Sequence, residues 1–106
     1  MNSKSKVETF IGFAMRTGKY KIGANASATL KRAYLVIVCK TASENSKKEA
    51  LKLAKSFHCK LYETVSLTLS EFTHRENAKI MAVADKSLAK AITDNSENDL
   101  IERTGD

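Results

Sequence analysis

The chain has 106 residues, 42% of them apolar, and a net charge of +6. That length holds one domain, and burial of roughly 60–70% of the unfolded surface gives it one core without metal or disulfide staples. No apolar run approaches the ~20 residues that cross a bilayer, and the polar, basic start at residues 1–6 argues against a signal peptide and for a cytoplasmic address.

The first predicted element is a helix, because Val7, Phe10, Ile11 and Ala14 follow the spacing of one buried face and Gly18 stops it. Lys19–Ile22 alternates as a short strand. Gly23-Ala24-Asn25 then opens a second helix reaching about Arg32, with Asn25 or Ser27 as its cap. Tyr34–Cys39 is a continuous apolar, β-branched run, the mark of a central strand buried on both faces. Thr41-Ala-Ser-Glu44 has capping-box spacing, with Ser43 a competing cap. The helix that follows turns Ala50, Leu51, Ala54 and Phe57 inward and its lysines largely outward. Lys60–Thr64 reads as a strand, Leu67–His74 as a short amphipathic helix, 75–79 as a polar loop and Ile80–Ala84 as a buried strand. Ser87 is expected to cap a last helix through Ile92. These strands make a mixed four-stranded sheet, and alternation of helix and strand places helices on both its faces.

Charge is unevenly distributed. Residues 1–93 hold 17 Lys or Arg against 7 Asp or Glu, whereas residues 94–106 hold Arg103 against five acids. The tail, with Leu100 and Ile101 its only large apolar residues, is expected to be mobile. The basic part suits a polyanion such as nucleic acid.

Chemistry-bearing groups do not converge in the sequence. Cys39 and Cys59 read as reduced thiols in or near the core, since neither CxxC nor paired-His spacing accompanies them. His58 and His74 each end a predicted helix, where charge–dipole contact is the expected role. No carboxylate pair, P-loop, dinucleotide fingerprint or nucleophile elbow appears. The expectation is a protein that is not an enzyme, with no cofactor, metal, membrane or small-molecule substrate.

The stretch from Arg16 to Arg32 is the most informative. A glycine there allows close backbone approach, a helix start presents N–H groups, and cations surround it, as a phosphate backbone requires. The run Arg-Thr-Gly-Lys-Tyr-Lys-Ile-Gly at 16–23 resembles the ribosomal L-seven-Ae/L-thirty-e family of kink-turn RNA-binding proteins. The likeness continues through Leu35–Val38, Ala42-Ser-Glu-Asn-Ser-Lys-Lys48, Ala82–Asp85 and Leu88–Ile92, in order. The second of these stretches is especially similar to the bacterial YlxQ-like branch.

This resemblance, covering residues 7–92, implies a three-layer α/β/α sandwich over 1–93. It also implies recognition of structured RNA, either ribosomal RNA or another kink-turn RNA, in or near the ribosome. The implied groove contact is Lys19, Gly23, Asn25, Ser27, Lys31 and Arg32, with Gly23 and Asn25 facing sheared G·A pairs. The implied second contact, over an extruded base, is Arg75, Glu76, Asn77, Ala78 and Lys79. Two positions depart from the family pattern: Ala26 stands where Glu or Gln is usual, and Thr29 where Lys is usual. The connector to the next strand is also shortened. An alternative from another class is therefore a protein-interaction module that keeps the fold without tight RNA binding.

Overall fold

The β-branched run becomes β2 (Leu35–Val38), with every residue buried, as a strand covered on both faces must be. The computed structural model describes residues 5–103. Among them β2 lies third in a five-stranded sheet of order β1-β4-β2-β3-β5, formed with β1 (Tyr20–Ile22), β3 (Lys60–Thr64), β4 (Ile80–Val83) and β5 (Leu100–Arg103). Only β2 and β3 pair in parallel, Leu35 opposite Lys60 and Val38 opposite Glu63. A parallel neighbour needs a crossover, and α3 (Glu44–Phe57) supplies it. The other pairs, β1 with β4, β4 with β2 and β3 with β5, are antiparallel.

Helix α1 (Lys6–Thr17) forms as its spacing predicts, burying Val7, Ile11 and Ala14. Ser5 Oγ caps it by accepting from the Glu8 amide at 3.1 Å, and Gly18, at φ 74°, ends it in the left-handed conformation glycine tolerates. It packs against α4 (Leu69–Thr73) and α5 (Lys86–Asp94), while α2 (Ala24–Ser27) packs against α3. The core between them includes Ile11, Leu35, Ile37, Leu69, Phe72 and Met81, all within 1% of full burial. The two histidines cap α3 and α4 in the left-handed conformation, His58 at φ 56° and His74 at φ 57°.

Several expectations are corrected. The sheet has five strands, not four, because residues assigned to the mobile tail pair with the free edge of β3. Leu100 is buried there, Arg103 Nε donates to Glu63 Oε1 at 3.0 Å, and the Val65 amide donates to the Asp99 carbonyl at 2.8 Å. Residues 104–106 of that tail lie outside the described residues. Helix α2 stops at Ser27 rather than near Arg32. The Thr29 and Leu30 amides donate to the Ala26 and Ser27 carbonyls, three residues back, a tightening that closes the last turn and ends it. Its N-cap is Gly23, not Asn25 or Ser27. Of the two caps offered for α3, Ser43 takes the role, its Oγ accepting from the Ser46 amide at 3.1 Å. Asp85 replaces Ser87 as the cap of α5, since its carboxylate accepts from the Leu88 amide at 2.9 Å.

Candidate functional site

Sheet polarity decides which predicted contact residues meet. Strands β1, β2 and β3 run one way and β4 and β5 the other. The residues that leave β1, β2 and β3 therefore share one end of the sheet with the loop that enters β4. The residues that enter β1, β2 and β3 share the opposite end with the turn after β4.

At the exit end, the Gly23 amide donates to the Ile80 carbonyl and the Cys39 amide to the Lys79 carbonyl, both at 2.8 Å. These bonds stitch the start of α2, the exit of β2 and the 75–79 loop into one surface. Gly23 itself sits at φ 97°, ψ 148°, a backbone state open to glycine, and has no side chain to cap α2. Asn25 is exposed just beyond it. Lys79 Nζ donates to Thr41 Oγ1 at 2.9 Å, and Lys40 Nζ reaches the Val65 and Ser66 carbonyls at 3.2 and 3.3 Å. Both ammonium groups are thus held near the surface by neutral acceptors, and Lys40 also feels the charge of the Glu71 carboxylate.

In the loop, Arg75, Glu76 and Asn77 are exposed, and Asn77 adopts φ 60°. The Arg75 guanidinium donates to the Tyr20 hydroxyl at 3.1 Å. Ala78 is fully buried and its amide donates to Ser70 Oγ at 3.2 Å, so it offers neither side chain nor N–H to a partner. Beneath this end lies Cys39. Burial pushes its thiol up, but hydrogen bonds from Thr41, the Leu69 amide and Thr64 outweigh that and hold it below the ordinary value. Glu71 completes a reciprocal capping box with Thr68, and the Thr68 amide and hydroxyl hold its carboxyl below the usual range.

Ser27 is a second correction, since its side chain is fully buried and its Oγ has no hydrogen-bond partner among the described residues. The hydroxyl is therefore not presented at the surface of this structure.

Lys19, Lys31 and Arg32 are exposed at the other end of the sheet. The Lys19 carbonyl accepts from the Ala84 amide at 2.9 Å, and Tyr34, just after Arg32, donates its amide to the Val83 carbonyl at 2.8 Å. At ~3.4 Å of rise per residue, the four steps from Lys19 to Gly23 span roughly 13 Å. The six predicted groove residues therefore do not form one patch. Gly23 and Asn25 join the 75–79 loop, whereas Lys31 and Arg32 join residues that sequence reading did not select, notably Lys60, Lys86 and Lys90. Together these line a cleft of about 760 Å³. Lys60 and Lys86 open a strand and a helix, and Lys90 stands one turn further along that helix, but only the strand order reveals that these starts coincide.

No group of three or more metal-ligating His, Cys, Asp or Glu side chains gathers among the described residues. No helix among them is long and apolar enough to cross a membrane. No protein-family model matches the sequence, and no curated protein matches it. A solved structure of a protein with unknown function from Bacillus halodurans is similar in fold, with a TM-score of 0.71 and 18% sequence identity over 89% of this chain and 99% of that one.

Proposed function

We propose that this chain is a non-catalytic, cytoplasmic RNA-binding protein that recognises kinked, structured RNA in or near the ribosome through the exit end of its sheet. In this reading the two helix groups are the outer layers of a three-layer α/β/α sandwich of the L-seven-Ae/L-thirty-e kind. The observation that carries it is the hydrogen bond from Gly23 to Ile80, which joins the two segments the family resemblance selects, far apart in sequence, into one surface. Gly23 and Asn25 face the RNA groove, Asn77 and Arg75 the extruded base, and Lys40 and Lys79 the flanking phosphates. RNA is read here by shape and 2′-OH pattern, as is usual for folded RNA.

A second reading keeps the fold and drops tight RNA binding. It is favoured by Ala26, whose side chain cannot hydrogen-bond a base, and by Thr29, whose hydroxyl is already tied to the Ala26 carbonyl at 2.6 Å. The deciding experiment is a gel shift comparing a kink-turn RNA with the same duplex lacking its G·A pairs. A preference of tenfold or more, about 1.4 kcal/mol, is expected. Equal affinity for the two RNAs overturns the kink reading, and weak binding of both favours the interaction module.

A further inference from the structure

The cleft at the entry end shares no residue with the surface just described. Its cations come from three places in the fold: Lys31 and Arg32 from the turn before β2, Lys60 from the first residue of β3, and Lys86 and Lys90 from the first turns of α5. All five are exposed. Crowding like charges around one concavity works against the compact state unless an anion neutralises them.

Carboxylates of the chain offset only part of that charge. Lys90 Nζ pairs with Asp94 at 2.9 Å, and Lys60 Nζ lies 4.0 Å from Glu102, a weak contact between exposed groups. Lys31, Arg32 and Lys86 make no salt bridge among the described residues. The half-buried rings of Tyr34 and Phe57 line the cleft beside them.

We propose that this cleft binds the phosphate backbone of an RNA segment, so that the protein holds RNA at both ends of its sheet. The cations are distributed around a wide opening on separate segments and do not focus on one point, which fits a row of phosphates better than a single small anion. An arginine among them, beside aromatic rings, adds planar donors and stacking surface suited to polynucleotide. The proposal stands independently of kink recognition, since plain duplex RNA carries the same backbone.

The test uses the full chain and a plain RNA duplex without a kink. Backbone amide resonances of Lys31, Arg32, Lys60 and Lys86 should shift on titration. The triple variant Lys31→Gln, Arg32→Gln, Lys86→Gln should flatten the plot of log K against log salt by about 2–2.7, at ~0.7–0.9 per neutralised phosphate. All three are surface positions, and a urea midpoint for the variant at or above that of the unaltered chain confirms that folding is intact. An unchanged slope overturns the proposal. So does an equal response of the cleft to inorganic tripolyphosphate at matched phosphate concentration, which would mark a small-anion site, or to polyglutamate at matched concentration, which would mark a general polyanion surface of low charge density. Loss of kink preference in the gel shift, with the slope change still present, removes the earlier reading and leaves this one standing.

Discussion

Replacing Ser27 by alanine should stabilise the protein, an unusual direction for a fully buried position. The Ser27 hydroxyl is desolvated and has no partner among the described residues. A buried, unsatisfied polar group costs roughly 1–3 kcal/mol. Alanine removes that cost and leaves a gap of only one oxygen, whose lost packing returns a fraction of the gain. Alanine also has the higher helix propensity, but Ser27 ends a four-residue helix, so this adds little. The net expectation is a gain of about 1 kcal/mol, which for a domain near this size raises Tm by roughly 4–6 °C. Urea unfolding followed by far-UV circular dichroism measures it, with an unchanged m-value showing that the same surface is exposed. Affinity for kink-turn RNA should stay within about twofold, because a buried hydroxyl touches no ligand. A loss of about 0.5 kcal/mol or more would mean the hydroxyl has a partner after all. A tenfold loss of RNA affinity would return Ser27 to the surface and refute the burial argument.

Gly23→Ala tests the backbone at the stitched end. A Cβ there meets nothing within 4 Å, so the expected loss of about 2 kcal/mol in urea melts is conformational strain at φ 97°; a neutral outcome would mean the turn relaxes freely. Leu100→Ala, at a side chain 3% exposed, should cost about 2–4 kcal/mol. Near-zero cost would show that β5 is not docked on β3. Burial pushes the Cys59 thiol up to about 11 from 9.0. The folded state therefore keeps a proton that the unfolded chain loses, so stability is present in full below pH 9 and falls as pH rises through 11. Cys59→Ser should lessen that alkaline loss by roughly 1–2 kcal/mol, compared in urea melts at neutral and alkaline pH; parallel curves for the two proteins would place the thiol in water.

Much of the fold is legible locally because its signals are local. The buried faces of α1 and α3 repeat at helical spacing, and β2 and β4 are unbroken apolar runs with no other stable home. What is not legible depends on distant partners. β5 has one buried side chain, and its pairing rests on the open edge of β3 and on Glu63, which also meets Lys47 at 3.5 Å. Nothing within 94–106 announces that edge. The end of α2 is missed for a related reason: Ser27 is polar by type yet buried, so the sequence shows a polar face where the structure has an interior one. The cap of α3 stays open between Thr41 and Ser43, and that of α5 is misassigned by two residues, because Thr41, Ser43, Asp85 and Ser87 are all competent acceptors. Only the backbone path decides which one faces the free amides.

The division of the candidate contacts follows from the same dependence on long-range order. Lys31 and Arg32 lie within ten residues of Gly23, so in sequence they look like one patch. Yet β1 and β2 run in the same direction, and the chain between them must return across the full height of the sheet before β2 can begin. That return carries Lys31 and Arg32 away from Gly23 and sets them beside Lys60, which stands before the next parallel strand for the same topological reason. Basic residues placed before strands of one direction must collect at one end, whatever their spacing in the chain. The cleft is therefore a consequence of strand direction combined with where the lysines stand. Reversing β3 while keeping its sequence would send Lys60 to the opposite end and dissolve the cluster.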